Sequence, residues 1–162
     1  MSDLGARTPV EGAVVIGRLS TATRARLERA AGAVAQVGEQ PPMVLVDGAG
    51  SPRALCARLN ELVGAEGYAA PVLADSDGNR LFPTGQIQVR FGQPVDEERL
   101  AALAARHGVE LAERNRWAPQ QVAFRVRAED DRFLPDLAAA IGAEPGVEAA
   151  WPAAKAGFRR ER

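Results

Sequence analysis

Two stretches of this chain can be laid on each other: "VLVDGAGSPRALCARLNELVGAEGYAAPV" (44–72) and "AFRVRAEDDRFLPDLAAAIGAEPGVEAAW" (123–151). Each passes from a strand-like apolar run, through a Ser or acidic helix start, to a leucine-faced helix. Each then reaches Gly-Ala-Glu, another glycine and a short apolar strand. The interval is nearly constant, so Leu59 falls on Leu137 and Gly64-Ala65-Glu66 on Gly142-Ala143-Glu144. An internal repeat of this kind restricts the chain to folds built from one supersecondary unit used twice.

The rest of the sequence completes both units. In the first, a strand at 13–19 and a helix at 21–34 lead to a short strand at 36–38 and an apolar strand at 43–47. A helix at 51–64 follows, with Ser51 as cap and Pro52 at the first helical position, then an extended run at 68–75. "SDGN" (76–79) is a turn, and "RLFP" returns from it. In the second unit Ile87, Val89 and Phe91 alternate with Gln86, Gln88 and Arg90, the period of a strand with one wet face. Asp96 caps a helix that stops at Gly108, and Val109 and Leu111 open a strand. A strand at 121–127, a helix at 131–141 and a strand at 147–151 close the unit. The order strand-helix-strand, strand-helix-strand occurs twice. The expected fold is therefore α+β: two tandem ferredoxin-like (βαββαβ) units, antiparallel sheets with helices on one face. The boundaries expected are 1–75 for the first unit, 76–84 for a linking hairpin, 85–153 for the second unit and 154–162 for a C-terminal tail.

If helices cover one face of each sheet, the other is free to bind. In the second unit that face should carry Gln86, Gln88, Arg90, Glu110, Arg125, Arg127 and Glu148, with Ala112, Ala123 and Ala150 between them. The core of this unit should be Ile87, Val89, Phe91, Leu103, Val122, Phe124, Val126, Leu137, Val147 and Trp151. A polar outer face is what any solvated antiparallel sheet shows, and it is equally what a flat protein-docking surface shows.

Composition narrows the chemistry. The chain has 162 residues, is 46% hydrophobic and 25% charged, and carries a formal net charge of −1, which makes no electrostatic case for nucleic acid or an anionic membrane. His107 is the only histidine and Cys56 the only cysteine, so an internal disulfide and a cysteine-rich metal site are excluded. Any histidine-based catalytic arrangement would have to use His107, which falls at the end of a predicted helix, where a cation is favoured by the helix dipole. Cys56 falls on an Ala/Leu helix and reads as a small buried side chain. The expectation is no enzyme, no catalytic residue, no metal and no cofactor. No run reaches membrane-spanning length and "MSDLGARTPVEG" shows no apolar signal region, so the chain by itself reads as cytoplasmic.

"PTGQIQVRFGQPVDEERLAALAARHGVELAERN", "PQQVAFRVRAED" and "LAAAIGAEPGVEAAWPA" together resemble the prodomain of subtilisin-like serine proteases. Ile87, Val89, Phe91, Leu103, Gly108, Val126, Leu137, Pro145, Val147 and Pro152 carry the likeness, over roughly residues 69–153. The resemblance implies an intramolecular chaperone or inhibitor, acting in cis or in trans. Its open sheet face (Gln86, Gln88, Arg90, Arg125, Arg127 and Glu148) would dock on the protease. The segment after the last strand (Pro152, Ala153, Ala154, Lys155, Ala156, Gly157 and Phe158) would lie in the cleft as a substrate-like strand. The protease's own Asp, His and Ser motifs are absent from this chain. The competing reading is a tandem ferredoxin-like regulatory module that binds a small ligand or another protein. RNA binding on the open face would need stacking aromatics there, and the sequence places Gln, Arg and Ala instead.

Overall fold

Turn and cap chemistry sets where the elements begin and end. In a computed structural model describing residues 7–31, 34–48 and 50–156, the first unit runs β1 (Thr8–Ile16), α1 (Thr21–Ala31), β2 (Val34–Glu39), β3 (Pro42–Val46), α2 (Pro52–Val63) and β4 (Tyr68–Ala74). Ser51 accepts the Ala54 N–H at the start of α2, as a Ser-Pro helix opening requires. The hairpin after β4 closes on Asp75, whose carboxylate accepts the N–H groups of Asp77 and Asn79. The second unit runs β5 (Arg80–Phe91), α3 (Glu97–His107), β6 (Glu110–Arg114), β7 (Gln121–Arg125), α4 (Leu134–Gly142) and β8 (Val147–Ala156). Asp96 accepts the Arg99 N–H to begin α3, and Gly108 ends it in the left-handed region at φ 64°.

The protein is α+β, with antiparallel pairing and four helices among the described residues. In the first unit the strand order is β2-β3-β1-β4, and every adjacent pair is antiparallel. In the second unit β6 pairs β7, β7 pairs β5, and β5 also pairs β8. Strand β5 starts by pairing Arg80 and Leu81 with β4 and continues by pairing Gln86–Arg90 with β7.

Several boundaries differ from expectation for local reasons. Strand β1 starts five residues before Ala13, with a register shift between Pro9 and Ala13 that breaks the alternation a pattern search looks for. It stops at Ile16 because Gly17 crosses the backbone of the turn before β4; a Cβ on Gly17 would lie 2.3 Å from the Glu66 carbonyl oxygen. Helix α4 starts at Leu134, not 131, because the Asp130 carboxylate folds back on the Arg132 N–H and guanidinium. Strand β8 continues past 151 to Ala156, into the stretch expected to begin a tail.

The contacts group the chain into two compact units. Among the described residues, the first takes those up to Thr84, together with 128–133 and 154–156; the second takes 85–127 and 134–153. The segment 128–133 joins the first unit through specific bonds. The Tyr68 hydroxyl donates to the Arg132 carbonyl at 2.5 Å, and the Arg53 guanidinium lies 4.4 Å from the centre of the Phe133 ring. Phe133, which falls within the helix expected at 131–141, instead packs against the first core.

That first core comprises Leu27 of α1 and Leu55, Cys56, Leu59 and Val63 of α2, set against Ala13, Val15, Val44, Val46 and Ala69. The opposite face of the same sheet is also buried, as a second cluster of Val14, Met43, Leu45, Val72 and Phe82. The continuous apolar runs of β3 and β4 therefore have a physical reason, since both faces are dry. In the second unit the helix-free face is mixed: Ala123 is buried there, Gln86, Gln88 and Arg90 are half-buried and Arg125 is exposed, and the dry core lies on the other face. Ile87, Val89, Phe91, Leu100, Leu103, Val122, Phe124, Val126, Leu134, Leu137 and Ile141 are buried, with Ile87 directly opposite Phe124. Val147 and Trp151, expected in this core, are only half-buried.

Phe124 is fully buried on the central strand β7. Phe124→Ala is expected to cost about 3–5 kcal/mol, the usual penalty for a large-to-small core change. Urea unfolding of the full chain measures it, and a midpoint equal to the parent's would mean the pairing register is wrong.

Candidate functional site

The sheet register puts the expected face residues side by side. Gln86 pairs with Arg125, Gln88 with Ala123 and Arg90 with Gln121; Glu110 pairs with Arg125 from the other side. Arg125, Arg127 and Glu148 are exposed, and Gln86, Gln88 and Arg90 are half-buried among their neighbours. Two ion pairs lie here: Arg90 Nε to Glu148 at 3.4 Å, and Arg127 Nε to Glu110 at 3.5 Å. The side chains of both pairs are partly exposed, so each adds little stability and mainly fixes where the side chains point, although Arg90 Nε itself is buried and makes no hydrogen bond among the described residues.

Two departures from strict alternation change the face. A register shift in β6 between Leu111 and Glu113 places Glu113, not Ala112, opposite Ala123. On β8, Glu148 faces Arg90, and the Trp151 ring also lies under the Arg90 guanidinium, 6.0 Å from its charge centre. Residues three apart cannot share a face of a regular strand. Ala150 accounts for the slip: it sits against Gly142 of α4, so it belongs to the helix side rather than the open one. Trp151 is thus an aromatic beside the polar face, where the sequence pattern had placed it in the core. Such a break leaves no composition signal, because Val147-Glu148-Ala149-Ala150-Trp151 alternates acceptably in the wrong phase.

Beside these groups is a shallow hollow of about 270 Å³ lined by Gln88, Glu113, Asn115, Gln121, Val122 and Ala123. Its donors and acceptors are mostly side-chain amides, suited to hydrogen bonding with a polar surface. A second hollow, of about 220 Å³, lies in the first unit, where Arg18, Arg24, Gln36 and Glu39 surround Met43 and Pro42.

The expected cleft-binding segment divides. Pro152, Ala153, Ala154, Lys155 and Ala156 belong to strand β8, and Lys155 donates to the Gln40 carbonyl at 2.9 Å. Gly157 and Phe158 lie outside the described residues.

The reactive side chains have structural partners. Burial pushes the Cys56 thiol up to about 12, so the thiolate a nucleophile needs is scarce at neutral pH. His107 Nε2 lies 2.6 Å from Glu144, and Arg106 donates to both oxygens of the same carboxylate. This cluster ties the C-terminal end of α3, where positive charge is favoured, to the turn after α4. Glu66, the repeat's counterpart of Glu144, does the reverse job: it accepts from the Ser20 N–H and the Thr23 hydroxyl at the N-terminal end of α1. Among the described residues no group of three or more His, Cys, Asp or Glu side chains is placed to hold a metal, and no helix is long and apolar enough to cross a membrane. Compared with known proteins, the chain matches no family model, no curated protein and no solved structure.

The Arg106 hydrogen bonds, followed by the His107 contact, hold the Glu144 carboxyl down from 4.5 to about 2. A carboxyl lowered on folding stabilises the folded state above its unfolded value and loses that contribution as pH falls through its folded value. Melting temperature measured from pH 7 to pH 2 is therefore expected to drop between about 4.5 and 2, and Glu144→Gln is expected to flatten the drop. Parallel curves for the two proteins would remove Glu144 from the acid response.

Proposed function

We propose that this chain is a non-catalytic docking module of the subtilisin-prodomain kind, in which the second unit binds a subtilisin-like protease through its helix-free face. The observation that carries this reading is the Gln86/Gln88/Arg90/Arg125 face with Glu148 and Trp151 at its side. Three features support it. The sequence β5-α3-β6-β7-α4-β8 with spatial order β6-β7-β5-β8 is that of a split βαβ unit, and β1-α1-β2-β3-α2-β4 with order β2-β3-β1-β4 repeats it. We read the two as tandem ferredoxin-like units. The face offers an Arg–Trp pair, the residue types that dominate binding energy in protein interfaces. The last strand already has the extended backbone that a protease cleft accepts through main-chain hydrogen bonds.

In this reading the face positions the module and the segment after β8 inhibits. Lys155 would release the Gln40 carbonyl as the end of β8 turned toward the cleft. Removing residues 157–162 deletes nothing from any described strand or helix. The shortened chain is expected to bind the protease with its active site blocked but to inhibit it at least about ten-fold less well, a change worth 1.4 kcal/mol. Reversing Arg125 or Glu148 is expected to alter binding only a few-fold, since exposed charges act mainly on the association rate. Hydrolysis of a chromogenic peptide by a purified subtilisin-like protease, titrated with each form, is the measurement. Equal inhibition by full and shortened chains would eliminate cleft insertion, and no binding by either would eliminate the protease reading.

The second reading, a regulatory module for a small polar ligand, is favoured by the amide-lined hollow at Gln88, Asn115 and Gln121. It requires the melting temperature to rise with ligand concentration in the manner of mass action.

A further inference from the structure

The hairpin between β6 and β7 displays Trp117 with 92% of its surface open to solvent. A tryptophan is the largest apolar side chain available, and folding has gained nothing from this one. The loop that carries it is nevertheless well bonded. Asn115 Oδ1 accepts from the N–H of Trp117 at 2.9 Å and of Ala118 at 3.1 Å. The Asn115 N–H donates to the Gln121 carbonyl at 3.1 Å, and the Gln121 N–H to the Ala118 carbonyl at 2.9 Å. The backbone that carries the indole is therefore fixed in a tight turn, which lowers the ordering entropy a partner must overcome.

Two further facts locate and qualify it. Asn115 and Gln121, which close the turn, also line the hollow beside Gln88 and Glu113, so the tryptophan stands at the rim of the proposed docking face. Its neighbour Arg116 is exposed and has no salt bridge among the described residues, whereas Arg90, Arg114 and Arg127 of the same unit each have a carboxylate partner.

We propose that Trp117 is the anchor of the docking surface, inserting into an apolar pocket on the protease while Arg116 pairs with a carboxylate at that pocket's edge. This rests on the protease-docking reading given above and adds to it the residue that dominates affinity and the kind of surface it fits. An isolated exposed apolar side chain can be accidental. Here the braced turn, the adjoining polar hollow and the unpaired cation next to it together form an anchor with a polar surround, the usual composition of a binding hot spot.

The test uses the full chain, with Trp117→Ala, Trp117→Phe and Arg116→Glu, against a purified subtilisin-like protease whose active site is blocked. Far-ultraviolet circular dichroism checks that each variant is folded. Trp117→Ala is expected to weaken binding about thirty-fold or more, Trp117→Phe to retain part of the affinity, and Arg116→Glu to slow association and reduce its salt dependence. If the parent binds and Trp117→Ala binds equally well, the anchor is overturned and the docking reading stands. If the parent does not bind, both fall together. Two other measurements would overturn the anchor in favour of a different occupant. One is a Trp117-dependent blue shift of fluorescence on vesicles of phosphatidylcholine and phosphatidylglycerol. The other is Trp117-dependent self-association in sedimentation.

Discussion

A pair of helices can cover only one face of a sheet, and the second face must then be dried by other means or made polar. Most of what distinguishes the two units follows from that constraint. In the first, Val14, Met43, Leu45, Val72 and Phe82 form a second buried cluster on the side away from α1 and α2. In the second, the corresponding side carries Gln86, Gln88, Arg90 and Arg125. The two units thus differ in how the sheet face away from the helices is treated: apolar and buried in the first, largely polar and partly exposed in the second.

The same contrast appears in the turns that end α2 and α4. Gly-Ala-Glu occurs in both, and each glutamate bridges to the other helix of its own unit. Glu66 reaches the start of α1 and accepts an N–H there, whereas Glu144 reaches the end of α3 and accepts from an arginine, with a histidine close by. A carboxylate is favoured at a helix start by the free N–H groups; at a helix end it is acceptable only because Arg106 and His107 supply side-chain partners. The one histidine of the chain is therefore accounted for by helix packing, and the one cysteine by burial in the first core.

Within the second unit, the make-up of the helix-free face depends on small breaks in a regular pattern. The shift in β6 brings Glu113 to the open face, and the slip in β8 brings Trp151 beneath Arg90. Without them the face would carry alanines at those places and no aromatic. Irregular pairing at the margins of a sheet often re-aims side chains in this way, because an edge strand has only one neighbour holding its register.

Much of the framework was legible in the sequence, because its signals are local. The cap at Ser51, the cap at Asp96, the left-handed stop at Gly108 and the alternation of Ile87, Val89 and Phe91 each follow from the chemistry of a few adjacent residues. So does the identity of the helices' buried stripes, since Leu59 and Leu137 both lie on faces that repeat at helical spacing. What tertiary structure alone decided was the phase of each edge strand and the destination of each connecting segment. Trp151 reads as an inward residue until Ala150 is seen to occupy the place against α4, and Phe133 reads as part of its helix until the Asp130–Arg132 turn delays the helix and sends the ring to the first core. These outcomes depend on which distant surface offers the better fit, and a sequence pattern, which records only spacing along the chain, holds no information about that competition.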